Sequence, residues 1–171
     1  MSGSRLRLIA AIGLVIGAVL GMAGTFAPSA SLRGLAWGID GTALIVAAAL
    51  LAIHHFRRGN DVAAAGFLVF VVGEALILSG AAMTLEASAP PFAAGVGLWA
   101  ASLALVSASH TMPFLVNGVG LVASLLFTVV AVQIFMGGTL TPLSRPLPFF
   151  AYPFFAATLF GWAWVHYRRA A

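Results

Sequence analysis

Residues 62–72 read Val-Ala-Ala-Ala-Gly-Phe-Leu-Val-Phe-Val-Val, and residues 43–53 read Ala-Leu-Ile-Val-Ala-Ala-Ala-Leu-Leu-Ala-Ile; neither stretch has a polar side chain on any face. A helix on the surface of a water-soluble protein keeps one polar face, and a membrane barrel strand alternates polar and apolar residues over about ten positions. These runs do neither, so their surroundings are apolar on all sides. In hydrocarbon every backbone N–H and C=O must pair within the chain, which for uniformly apolar runs selects helices.

Working outward, six such stretches occupy residues 6–26, 35–56, 62–83, 92–112, 114–136 and 147–167. Each has about the 20 residues that a helix rising about 1.5 Å per residue needs to span a core about 30 Å thick. Composition agrees, at 62% hydrophobic and only 7% charged. The expected fold is all-α: a polytopic six-helix transmembrane bundle, up-and-down, with residues 1–171 as a single integral membrane domain.

The arginines set the expected orientation, because positive residues in short loops are retained on the cytoplasmic side. With six spans, Arg5, Arg7, Arg57, Arg58, Arg168 and Arg169 share one side and only Arg33 and Arg145 fall on the other. The chain is therefore expected in the plasma membrane, the inner membrane of a bacterium, with both termini cytoplasmic. The net charge of +4 follows from this asymmetry and needs no nucleic-acid partner. It adds an attraction to the anionic headgroups of membrane lipids. Arg5, Arg7 and the apolar run after them also resemble a secretory signal, but that run exceeds the usual length of about 7 to 15 residues, so a retained first span is expected. Cysteine is absent, which excludes disulfides, thiolate metal sites and a cysteine nucleophile.

A weak internal repeat is visible where the outer loops begin. Residues 21–26, 80–85 and 136–140 each combine small residues, a threonine and a large apolar residue, and each precedes a helix ending near a histidine, His55, His110 or His166. On that reading the bundle is three pseudo-repeated helical hairpins. Gly13, Gly17 and Gly21 on span one, and Gly66 and Gly73 on span three, form small-residue stripes that allow close helix packing or bind a second copy or another membrane protein. Pro153 is expected to kink span six, whose aromatic residues are expected to anchor it at the two interfaces.

Few polar residues interrupt the spans. Glu74 lies near the middle of span three, where an unpaired ionised carboxylate costs several kcal/mol, and intramembrane ionisable residues mark functional sites by default. Ser102, Ser124 and Thr128 are expected at similar depth as hydrogen-bonding neighbours. Asp40 lies closer to the outer end, with Ser79 and Gln133 as expected neighbours, and so near the headgroups its expected role is structural, capping or tethering the outer loop. With the histidines these residues form a ladder suited to a proton or small polar solute. The first reading is therefore a channel or transporter for protons or a small solute, centred on Glu74. The second is a non-catalytic accessory or assembly subunit of a membrane complex. The third is a haem- or metal-binding protein, with His55, His110 and His166 as weak candidate ligands; no cofactor is assigned. No Gly-x-Ser-x-Gly, His-Glu-x-x-His or Gly-x4-Gly-Lys pattern occurs, so nothing in the sequence recommends an enzyme.

Overall fold

The computed structural model describes residues 3–170 and contains no strand among them. Six α-helices run α1 (Gly3–Thr25), α2 (Ala30–Phe56), α3 (Asp61–Ser79), α4 (Ala89–Ala108), α5 (Phe114–Phe135) and α6 (Tyr152–Arg168), the last preceded by a 3₁₀ turn, Phe149–Ala151. The first five are long and apolar enough to cross a membrane. At 17 residues α6 is shorter, and the 3₁₀ turn completes the stretch.

Local chemistry sets the ends. The Ser29 side chain accepts from Leu32 N and starts α2 five residues before the hydropathy boundary, which shortens the connection between α1 and α2 to a tight turn. At the other end of α2, Gly59 adopts φ 71° and Asn60 N donates to His55 O at 3.0 Å, so the chain turns sharply into α3. Gly137, at φ 92°, closes α5 in the same way, with Gly138 N donating to Gln133 O at 2.8 Å. Pro153 sits in the first turn of α6, where its missing N–H has no intrahelical partner to lose. The expected kink is thus a helix start.

Each helix packs against its neighbours in sequence, and α6 closes the ring against α1. The arginine-rich end gathers the start of α1, the α2–α3 turn and the end of α6: Arg7, His54, Arg57 and Arg58 line one depression, and Arg169 donates to Thr111 O across the α4–α5 turn. Large apolar side chains such as Phe114, Leu115, Leu125 and Phe135 point outward, as a lipid-facing surface requires.

The ring is filled by an aromatic column. Phe127 meets Phe155 at 5.5 Å, Phe155 stacks on Trp99 at 4.4 Å, Phe70 contacts both Phe155 and Trp162, and Trp162 meets Phe67 at 5.0 Å. Trp162 and Phe155 are buried in this column and anchor nothing at an interface. Trp164 does lie outside, 58% exposed, with the Arg168 guanidinium over its ring.

The glycine stripes are consumed inside the molecule. A Cβ on Gly13 would lie 2.9 Å from Ala43 O of α2, one on Gly66 would lie 3.1 Å from Val106 N of α4, and one on Gly73 would lie 2.9 Å from Gly95 O. These backbones touch because the side chains are missing. Gly73→Ala should therefore lower stability by about 1–3 kcal/mol, the usual penalty for overpacking. Gly38→Ala, where an added carbon meets nothing within 4 Å, should be neutral or gain up to about 1 kcal/mol of helix propensity. Thermal unfolding in detergent, followed by circular dichroism, measures both; an equal effect of the two would contradict the packing account.

Candidate functional site

Between α1, α2, α3, α4 and α6 lies a cavity of about 70 Å³, rimmed at the Arg33 and Arg145 end by Gly80, Ala81, Ser88 and Pro142. Two carboxyl groups face it, Asp40 of α2 and Glu74 of α3, together with Trp37, Trp99, Tyr152 and Phe155. No basic side chain lines it.

Each carboxyl group occupies space left by a glycine. Asp40 Oδ2 lies 2.9 Å from the position a Cβ on Gly21 would take, and Oδ1 lies 3.1 Å from that on Gly17. Glu74 Oε1 lies 3.1 Å from the Cβ position of Gly41. Any larger residue on the facing helix would push the oxygens out. Gly21 has a second role, since its carbonyl accepts from Trp37 Nε1 at 3.3 Å and from Thr25 Oγ1 at 3.1 Å.

Glu74 is 2% exposed and accepts a hydrogen bond from Trp99 Nε1 at 3.0 Å. Asp40 is half-buried, yet its Oδ1 is sealed from solvent with no partner. Two carboxyl groups thus share a small apolar chamber with one hydrogen-bond donor from an indole. Such groups repel when both are ionised, and an added proton or cation relieves that repulsion. Tyr152, on the cavity wall, donates its hydroxyl to Pro142 O at 3.1 Å and ties the long loop before α6 to the helix below.

The remaining residues of the expected ladder are elsewhere. Ser124 is buried and donates to Ala100 O at 2.7 Å, which joins α5 to α4. Thr128 is exposed and returns its hydroxyl to Ser124 O of its own helix. Gln133 is exposed at the end of α5, and Ser79 is exposed and bonded to Leu76 O. None of these four lines the cavity with Asp40 and Glu74: α5 contributes nothing to its wall, and Ser79, at the end of α3, is turned to the outside. Ser102 is fully buried, and its hydroxyl has no partner. Span depth set the expected neighbours, but helix rotation decided which way each side chain points.

Trp99 is the partner that depth alone did not suggest. The available signal was chemical: an indole N–H in the middle of an apolar span must find an acceptor, and Glu74 offers one. Gly41, next to Asp40, carried no signal until its facing residue was known.

A second polar cluster lies at the arginine-rich end. His55 Nε2 and His166 Nε2 are 3.2 Å apart, and His166 Nδ1 lies 2.7 Å from Trp162 O. A carbonyl only accepts, so in the neutral pair His166 carries its proton on Nδ1, and His55 donates from Nε2. His55 Nδ1 is then a bare acceptor, buried without a partner. The His54 ring stands edge-on to both, at centroid distances of 5.3 and 6.1 Å.

This arrangement corrects the ligand set expected from the repeat. His110 is exposed in the α4–α5 turn with φ 53° and does not join His55 and His166; His54 takes the third place. Among the described residues no group of three or more His, Cys, Asp or Glu side chains is placed to hold a metal ion. The directly bonded His55 and His166 leave no slot between them for a haem.

These features define a class, a small all-helical protein with five helices long and apolar enough to span a membrane and a ring interior that holds a carboxyl-lined cavity. Compared with known protein families, characterised proteins and solved structures, the chain matches none.

Between the cavity and the histidines stand Phe70, Trp162 and Phe67, so water entering past Ala81 should stop at the aromatic column. The cysteine-free chain allows a direct check. Single cysteines at Met22 and Ala81, both on the cavity wall, should react with a small water-soluble thiol reagent. Cysteines at Leu103 and Ala123, both fully buried, should stay protected. Labelling at position 103 would contradict the dry column.

Proposed function

We propose that the protein carries a proton or a small monovalent cation across the membrane, using Asp40 and Glu74 as the shared binding site. One observation carries this reading: two carboxyl groups from adjacent helices line the same apolar cavity, with no basic residue to neutralise them.

The lining narrows the solute. Its only charged groups are the two carboxyl groups, which favour a proton or a small cation over an anion. Beneath the site, the aromatic column interrupts any continuous wet path. A carrier that loads from the Arg33 and Arg145 end and then rearranges fits this better than an open pore. The accessory-subunit reading relied on glycine stripes and on bare lipid-facing helices; the stripes of α1 and α3 are covered within the bundle, which leaves only the outward apolar faces to support it.

Purified protein in vesicles loaded with a pH-sensitive dye, and driven by a proton or ammonium gradient, should show flux above that of empty vesicles. Glu74→Gln and Asp40→Asn should each bring the rate down to the empty-vesicle level, while Glu74→Asp retains part of it. Unchanged flux in folded Glu74→Gln protein, or no flux from the unaltered chain under any gradient, would overturn the assignment.

A further inference from the structure

The arginine-rich end holds a site separate from the carboxyl cavity. A depression of about 480 Å³ lies between the first turns of α1 and the end of α2, lined by Gly3, Ser4, Leu6, Arg7, His54, Arg57 and Arg58. Three guanidinium groups and an imidazole face it, and no acidic side chain is among the lining residues. Arg169, at the end of α6, adds its charge to the field felt at Arg7 and His54.

We infer that this depression binds a phosphate group. Like charges brought together without carboxylates repel one another, and the repulsion is relieved by an anion between them. Arg7 supplies the independent sign of a missing ligand: its Nε is sealed from solvent and has no hydrogen-bond partner. The rest of the half-exposed Arg7 side chain reaches solvent, but a sealed N–H left without an acceptor is costly, and in a basic pocket an anionic oxygen satisfies it.

The chemistry selects phosphate over carboxylate. Guanidinium forks pair with two oxygens at a time, and a tetrahedral phosphate presents enough oxygens for Arg7, Arg57 and Arg58 together, which a two-oxygen carboxylate does not. Leu6 of α1 borders the same depression, and the exposed Leu8, Ile9 and Ile12 follow on the same helix, so a phosphate bearing an acyl tail fits there as well as a free one. The two sources share one recognition chemistry. His54 sits at the floor, beside His55, and would place the bound phosphate against the histidine cluster.

The test uses the full chain, delipidated in a neutral detergent, with binding of phosphatidylglycerol, phosphatidylcholine and inorganic phosphate followed by native mass spectrometry and by thermal shift. Saturable retention of phosphatidylglycerol but not phosphatidylcholine is expected if the source is a lipid headgroup. A thermal shift with inorganic phosphate, absent with chloride at equal ionic strength, is expected if the source is free phosphate. In either case Arg7→Gln and Arg58→Gln should weaken binding by about tenfold or more, the loss of a charge-assisted hydrogen bond. Arg7→Lys, which keeps the charge and loses the fork, should fall between. Arg5→Gln, an exposed arginine outside the lining, should bind as the unaltered chain does. Binding of neither probe, equal weakening by Arg5→Gln and Arg7→Gln, or full binding by folded Arg7→Gln protein would overturn the proposal. All three outcomes are independent of flux through the carboxyl site.

Discussion

A carboxyl group inside an apolar bundle needs space and a partner, and the arrangement of α1, α2 and α3 follows from that requirement. Asp40 and Glu74 lie between helices close enough to touch, so their oxygens fit only where the facing residue has no side chain. Gly21 serves Asp40, Gly17 makes room for Leu44 with Asp40 Oδ1 beside it, and Gly41 serves Glu74. The same absence of side chains that lets two backbones pack in lipid thus creates room for charge-bearing groups. Packing and polarity, which compete in most membrane helices, are met here by the same residues.

The aromatic column imposes the complementary constraint. Residues from α3, α4, α5 and α6 meet on the ring axis and separate the carboxyl cavity from the histidine cluster. Trp99 belongs to both, since its ring stacks on Phe155 while its N–H binds Glu74. A change in the state of Glu74 therefore acts directly on the residue that seals the cavity floor. The cluster at the far end is organised around the His166 bond to the Trp162 carbonyl, and Trp162 is itself part of the column. Each polar site is attached to the apolar plug by a tryptophan.

Much of the fold was legible in the sequence because lipid imposes a simple rule, a run of about 20 apolar residues for each crossing. The runs at 43–53 and 62–72 sufficed to choose helices, and the Arg57-Arg58 and Arg168-Arg169 pairs placed two helix ends together. Glu74 stood out by the same rule. Its surroundings did not, because depth along a span fixes one coordinate and the rotation of each helix fixes another. Thr128 and Gln133 share approximate depth with the carboxyl groups but face outward, while Gly41 and Trp99 face inward. A helix apolar on all sides carries no hydrophobic stripe from which that rotation can be read. The histidine repeat failed for a local reason: His110 falls in a turn, where a left-handed backbone carries it away from the bundle.

The dependence of Asp40 on its glycine seat is the most direct point of attack. The three atoms nearest to a Cβ added at Gly21 all belong to the Asp40 carboxyl group. Stability should therefore be measured for Gly21→Ala, Asp40→Ala and the double variant, by unfolding in mixed detergent micelles. The account predicts that Gly21→Ala destabilises the protein when Asp40 is present and is neutral or stabilising when Asp40 is alanine. An equal penalty in both backgrounds would contradict it.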